Sequence, residues 1–552
     1  MLILAKTFSV TVTEGEKLRA RAIDQWTRDL PVKAVRGEIT DANGVLLAGS
    51  KGTYAVYVRT RCVTNEKQVA SVLSEILDLD ERELLDKISN KKTSEITVAR
   101  QVDKAVISKL SAYSLDGVYF SIDNTRVYPY GEMLCQTLGY LTVDGTGQSG
   151  LEKYYNEFLC GENGEILYES DLIGNDLDGK IPSYVSAKNG MSIQLTVDSE
   201  IQLICENELK KAMIQYTPKC AQILVMQPST GKILALAEAP SYDLNSPPRE
   251  NLQILNDYGR NKTFSNSYEP GSTFKIVTAS ANVEEYFNGN SRAFSLEHVF
   301  PSSRYRYVGG KKIKCWSTHD NGKHANENLG MALNNSCNPI FVDIALSLGK
   351  NTFYDYIERY NFGRATGIDF NGEALGMLIP ESAVTEGDLA RIGFGQTIAV
   401  TPLQLACAVC ATVNGGVYYK PYLVERIYNE SGTVSQNYPV AVNRVISEKT
   451  SKKMTEYLRD VVSLGSGKQA YIEGYSVGGK TGTAQKYENG VISAGKYVMS
   501  FIGFFPSNKP EYLALVIVDE PVGGTYGSTV AAPICKNLFS QIISAKNIKA
   551  VE

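Results

Sequence analysis

The chain has 552 residues, 43% hydrophobic and 21% charged, with 56 basic against 60 acidic side chains, a formal net charge of −4 and a pI near 5.8. That length exceeds the roughly 250–300 residues at which one core stops growing, so at least two domains are expected, with the composition of a folded protein and not of a disordered or collagen-like one. A slightly acidic balance without a polybasic run excludes an ordinary nucleic-acid binder.

The opening 1-MLILAKTFSVTV-12 is apolar only in its first few residues and includes Lys6. It falls short of the roughly 18 apolar residues of a membrane span and lacks the three regions of a signal peptide. Two expectations stay open, an ectodomain trimmed of its anchor and a soluble protein. Residues 1–34 read as a helical, charged stalk (15-EKLRARAIDQWTRDL-29). Over 35–195, alternating segments such as 54-YAVYVRT-60 mix with helical ones such as 66-EKQVASVLSEILDL-79, an irregular α+β module.

From 196 to 552 the apolar runs become denser. The strands 221-AQILVMQP-228 and 231-GKILALAEA-239 flank the turn Ser229-Thr230, and 498-VMSFIGFFP-506 with 512-YLALVIVDEP-521 reads as a hairpin buried on both faces. Helical segments lie between these strand groups and a last helix spans 529–543. The expected architecture is multidomain α/β (α+β): an antiparallel sheet covered by helices with an inserted helical subdomain, preceded by the irregular module. Ten cysteines without regular spacing do not form a disulfide framework. Cys407 and Cys410 sit in an apolar helical pattern and read as core.

Three motifs carry chemistry. In 269-EPGSTFKIVTA-279, Ser272 and Lys275 share a helix face just after a Pro-Gly turn. Free backbone N–H groups there favour a developing oxyanion, and a lysine in apolar surroundings loses its charge easily enough to accept the serine proton. In 334-NNSCNP-339, Ser336 and Asn338 occupy a polar turn after a helical stretch, closed by Pro339. In 478-GGKTGTAQ-485, Lys480, Thr481, Gly482 and Thr483 form an extended segment offering a cation, hydroxyls and backbone donors to an anionic substrate end. The run 474-GYSVGGKT-481 also fits the phosphate-cradling pattern, but an extended segment follows where that loop must open a helix. Only His298, His319 and His324 exist and no G-x-S-x-G elbow is present, which removes histidine triads.

The order S-x-x-K, S-x-N, K-T-G is the signature of class A β-lactamases and penicillin-binding proteins. With 36-RGEITDANGVLLA-48, 150-GLEKYYNEFLCGENG-164, 367-GIDFNGEALG-376 and 393-GFGQTIAVTPLQLA-406, the chain resembles the class B penicillin-binding proteins, monofunctional peptidoglycan transpeptidases, over nearly its whole length. General similarity favours the stage V sporulation protein D branch over the division branch. The resemblance implies a pedestal over 35–195, a transpeptidase domain over 196–552, and a protein anchored at the extracytoplasmic face of the membrane by an N-terminal helix absent or truncated here. It looks on 150–164 as the pedestal's strand-crossing segment.

The resemblance also implies roles. Ser272 would attack the D-Ala-D-Ala amide and hold the acyl-enzyme, Lys275 would take its proton, and Ser336 would relay that proton while Asn338 orients the peptide. Lys480 with Thr481, Gly482 and Thr483 would bind the terminal carboxylate. The backbone N–H groups of Ser272 and Thr483 would form the oxyanion hole. Implied partners are stem peptides, β-lactams and a membrane glycan polymerase, with no nucleic acid and no cofactor required for the chemistry. A D,D-carboxypeptidase, a β-lactamase and a β-lactam sensor or scaffold stand as alternatives, the pedestal arguing against a β-lactamase.

One loop departs from the family. The segment 315-CWSTHDNGKH-324 concentrates Cys315, His319, Asp320 and His324, donors that suit a structural tetrahedral Zn²⁺, with Cys337 as an alternative fourth ligand. A polar loop with one packed cysteine is the other reading.

Overall fold

The computed structural model describes residues 27–169, 183–319, 324–488, 491–524 and 526–550. In its N-terminal part, β1 (Leu46–Val58) pairs antiparallel with β2 (Val118–Val127) along ten residues, from Gly49 opposite Val127 to Val58 opposite Val118. The alternation in 54–60 becomes one apolar face: Val56 and Val58 pack against Val69 and Leu73 of the helix Glu66–Leu77 and against Leu84 and Ile88 of Glu81–Ser89. Asn65 and Asp80 start those helices by accepting the N–H of Gln68 and Glu83.

The charged stalk reads differently in the structure. Residues 1–26 lie outside the described residues, and Thr27–Val32 is a strand paired antiparallel with Gly164–Glu169. Pro31 is unsuited to a helix interior, and a partner strand supplies the backbone bonds. The 150–164 segment forms the short helices Gly150–Tyr154 and Asn156–Leu159 and leads into the strand Gly164–Glu169. These place Glu152, fully buried, between two guanidinium groups. Arg36 Nε lies 2.7 Å from Oε2 and Arg126 Nε 2.7 Å from Oε1, with the arginine side chains only 7% and 5% exposed. The arginine of 36-RGEI-39 is thereby tied to the far end of the module.

The C-terminal part begins with α1 (Ser199–Tyr216), β3 (Cys220–Met226) and β4 (Ile233–Ala239). It continues through α2 (Lys275–Phe287), the hairpin β5 (Tyr305–Val308) and β6 (Lys311–Lys314), and α3 (Leu329–Asn335) and α4 (Asn338–Leu348). Then come α5 (Glu386–Ile392), α6 (Pro402–Val413), α7 (Glu448–Ser463), β7 (Gly478–Glu488), β8 (Val491–Phe505), β9 (Tyr512–Asp519) and α8 (Gly527–Ala545). The sheet order is β4-β3-β9-β8-β7, antiparallel throughout.

Both sheet faces are covered, which explains the unbroken apolar runs. Ala221, Ile223 and Val225 of β3 with Ala514, Val516 and Val518 of β9 face α1 and α8, while Leu224, Met226, Leu513 and Leu515 face the core shared with α2 and α6. Every residue of α6 is buried, so Cys407 and Cys410 are core thiols. In α2 the whole stretch from Lys275 to Glu284 is buried. The strand β7 stands at the sheet edge, and its opposite neighbour is the turn that carries Ser272.

Replacing Glu152 with Ala leaves two buried guanidinium groups without their shared carboxylate. Urea unfolding is expected to show a loss of about 3–5 kcal/mol; a loss below about 1 kcal/mol would show the network to be solvated.

Candidate active site

The turn that carries Ser272 is built from backbone outward. Gly271 has φ of 55°, Thr273 Oγ1 donates to the Pro270 carbonyl at 2.7 Å, and Gly271–Phe274 form one 3₁₀ turn directly before α2. Ser272 therefore sits one tight turn ahead of the α-helix, and Lys275 is the first α-helical residue. Behind the turn, Gly271 N–H donates to Gly395 O at 2.9 Å. Gly395 has φ of +84°, and a Cβ there would fall 2.0 Å from the Gly271 carbonyl oxygen. The 393-GFGQT segment is thus the backstop of the serine.

Lys275 is fully buried and its Nζ is the hub of the site. It lies 3.1 Å from Ser272 Oγ, 3.1 Å from Ser336 Oγ, 2.8 Å from Ser336 O and 2.6 Å from Asn338 Oδ1. Burial lowers its pKa to about 8, and the nearby Cys315, Cys337 and Glu327 restrain the fall.

Ser336 follows the last residue of α3 in the left-handed region, φ 57°, and Asn338 opens α4 with Pro339 in its first turn. Proline is favoured there because its missing N–H is one that a helix start leaves unbonded. Pro339 therefore opens the next helix instead of closing the turn, as the sequence suggested, and the two helix ends aim Ser336 and Asn338 at one point.

From β7, buried Lys480 donates to Ser336 Oγ at 3.0 Å and to Thr481 O at 3.2 Å. Burial first, and the charge of Lys275 second, push its pKa well below the ordinary lysine value. Thr481 Oγ1 is 3.3 Å from Ser466 Oγ, and Thr483 Oγ1 accepts the N–H of Gly527 at the start of α8 at 3.0 Å. Between them Gly482 presses on β8: a Cβ would lie 2.3 Å from Ser500 Oγ.

These groups open on a cleft of about 670 Å³ lined by Ser272, Ser336, Asn338, Thr481 and Thr483. A larger cavity of about 960 Å³, beside Arg36 and Arg126, contains none of them. Residues unforeseen from the sequence complete the cleft. Trp316 and Tyr526 stand with ring centroids 5.9 Å apart, and Ser466, Lys312, Lys314 and Arg391 line the walls. Trp316 offered a weak signal as one of only two tryptophans; 465-GSG-467 reads as any loop.

Beside the cleft, Cys315, His319, His324 and Cys337 place their donor atoms all within 4.8 Å of one another. Cys315 Sγ is 3.8 Å from His324 Nδ1, and Cys337 Sγ 3.9 Å from His319 Nε2. Asp320 lies outside the described residues, and Cys337 takes the fourth corner. A hydrogen bond between the sulfurs holds Cys315 toward the thiolate and Cys337 toward the thiol. Because Cys337 lies between Ser336 and Asn338, this cluster and the catalytic constellation share one backbone turn. His298 packs instead on Phe294 and Phe300, with centroids at 4.6 Å in both pairs.

Comparison with known proteins agrees with this geometry. Residues 221–540 match the penicillin binding protein transpeptidase domain family and residues 31–195 the penicillin-binding protein dimerisation domain family. The chain is 37% identical over 540 residues to stage V sporulation protein D of Bacillus subtilis, covering 97% of this chain and 82% of that protein. It is 29% identical to the probable peptidoglycan D,D-transpeptidase PenA of Neisseria gonorrhoeae, covering 95% and 86%. The fold is shared with penicillin binding protein 3 from Mycobacterium tuberculosis, solved in complex with aztreonam, at a TM-score of 0.72 and 21% identity, covering 95% of this chain and 98% of that one.

Gly395→Ala forces the nucleophile turn to move. Acylation of Ser272 by an activated ester is expected to slow by about 100-fold, the scale of a 1 Å misplacement, with circular dichroism still native; an unchanged rate would detach Gly395 from the site.

Proposed function

The chain belongs to the class B penicillin-binding proteins and is a serine-type peptidoglycan D,D-transpeptidase, and we propose that Ser272 forms the acyl-enzyme through which two stem peptides are cross-linked. The observation that carries this assignment is the fully buried Lys275 ammonium nitrogen 3.1 Å from the hydroxyls of both Ser272 and Ser336.

In this reading neutral Lys275 takes the Ser272 proton as Oγ attacks the carbonyl carbon of the penultimate D-alanine. The backbone N–H groups of Ser272 and Thr483 hold the oxyanion. Ser336, within 3.1 Å of Lys275 and 3.0 Å of Lys480, carries the proton to the departing D-alanine amine. Lys480, Thr481, Gly482 and Thr483 bind the terminal carboxylate, and Asn338 aligns the donor amide. The amine of a second stem peptide then attacks the ester and releases Ser272. Nothing in the fold or the comparisons favours the carboxypeptidase, sensor or scaffold readings.

Cys315, His319, His324 and Cys337 would hold a structural Zn²⁺. Zn–S bonds of about 2.3 Å and Zn–N bonds of about 2.0 Å would set tetrahedral S···N donors about 3.5 Å apart, and Cys315 Sγ–His324 Nδ1 and Cys337 Sγ–His319 Nε2 stand a few tenths wider, at 3.8 and 3.9 Å. Bound there, the ion would brace Cys337 and with it Ser336 and Asn338, leaving the acyl transfer to the side chains. The protein works at the extracytoplasmic face of the membrane; among the described residues no helix is long and apolar enough to cross one. The module over 35–195 meets a membrane glycan polymerase, residues 196–552 form the catalytic unit, and the similarity to the sporulation protein points to the spore cortex as the product.

Intact-mass spectrometry with a fluorescent penicillin tests both assignments. Wild type is expected to gain one adduct and Ser272→Ala none, and chelation is expected to remove one zinc per chain, lower Tm and slow acylation. An adduct on Ser272→Ala overturns the nucleophile; a metal-free protein of unchanged Tm and rate overturns the zinc.

A further inference from the structure

The terminal carboxylate of a donor peptide has its cation in Lys480, yet the cleft carries more positive charge than that task needs. Lys312, Lys314 and Arg391 line it, and among the described residues no Asp or Glu does. In a chain of net charge −4 this bias is local. Resting on the reading of Ser272 given above, we propose that the cleft selects donor peptides bearing a second carboxylate on the residue before D-Ala-D-Ala, and that Lys314 and Arg391 bind it.

Lys314 stands on a fixed wall. The hairpin of β5 and β6 is clamped to α4 by Arg306, whose Nε and Nη2 meet the Asp343 carboxylate at 2.7 and 2.6 Å. Asn338 ties the same hairpin to the reacting centre: its Oδ1 is on Lys275 Nζ and its Nδ2 donates to the Lys314 carbonyl at 3.3 Å. A peptide amide aligned by Asn338 therefore runs past β6, bringing the residue ahead of the scissile pair within reach of the Lys314 side chain.

The cations differ in how far they are engaged. Lys312 Nζ sits 3.7 Å over the Tyr305 ring and is already partnered by its π face. Lys314 is exposed and has no acidic partner among the described residues. Arg391 on α5 reaches Asp388 only at 4.0 Å and gives one N–H to Gly387 O at 3.3 Å, leaving most of its five donors for a ligand. A carboxylate accepts bonds from such a pair with opposite full charges on the two sides, an attraction that a carboxamide of the same shape lacks.

The test uses two synthetic peptides ending in D-Ala-D-Ala, identical except for a carboxylate or carboxamide on the preceding side chain, with D-alanine release as readout. Wild type is expected to favour the carboxylate about tenfold in kcat/KM, with the ratio falling as salt rises. In Lys314→Gln/Arg391→Gln the ratio should collapse toward one. Should that variant unfold, Lys314→Gln, a change at an exposed side chain, should reduce the ratio by itself. Equal rates for the two peptides on wild type that is acylated by penicillin overturn the proposal and leave the Ser272 assignment standing. Wild type that reacts with neither peptide nor penicillin overturns both.

Discussion

Everything in the cleft depends on a lysine buried where a full charge is costly. Taking an ammonium out of water costs several kcal/mol even after relaxation, and two of them, Lys275 and Lys480, converge on the hydroxyl of Ser336. Among the described residues neither has a carboxylate within ion-pair distance; their acceptors are hydroxyls, two carbonyls and an amide oxygen. This arrangement keeps Lys275 ready to lose a proton, and a salt bridge at the same place would have fixed it as a cation.

The rest of the molecule can be understood as the means of holding that arrangement. The sheet is covered on both faces, so β7 and α2 are rigid supports on either side of Ser272. Gly395 lets two backbones approach where a Cβ would collide, Gly271 takes a positive φ, and Gly482 makes room for the Ser500 hydroxyl. Ser336 is kept at positive φ, a conformation that costs of order 1 kcal/mol or more outside glycine, between two helix ends and beside the Cys-His cluster. The Cys-His cluster and the Ser336 and Asn338 side chains thereby share the turn 336–338. At the far end, the buried Glu152 network gives the N-terminal module its own rigid centre.

Much of this was legible in the sequence, for local reasons. Continuous apolar runs such as 512-YLALVIVD-519 mean a strand covered on both sides, and a K-T-G segment with a glycine at its centre cannot open a helix as a phosphate loop would. What escaped were features created by distant partners. Thr27–Val32 is a strand because 164–169 is there to pair with it, and the charged pattern of 15–29 carried no sign of that partner. Glu152 looks like a surface charge on a short helix until Arg36 and Arg126 close over it. Cys337 stood as an alternative ligand because its place in the cluster depends on α3 and α4 bringing residue 337 back to the loop at 315–324, while Asp320 lies outside the described residues. The walls made by Lys314 and Trp316, by Arg391 and by Tyr526 come from three separate segments and have no shared pattern.

The account turns on Lys275 being a base near neutral pH. The direct measurement is the pH dependence of the acylation rate of Ser272 by penicillin under single-turnover conditions. Because the neutral amine is the reactive form, the rate should rise with pH through a midpoint at about 8 and level off above it, the position burial gives this group. A rate that climbs with a midpoint near 10.5, the ordinary lysine value, would contradict the account, as would one that does not respond to pH across this range.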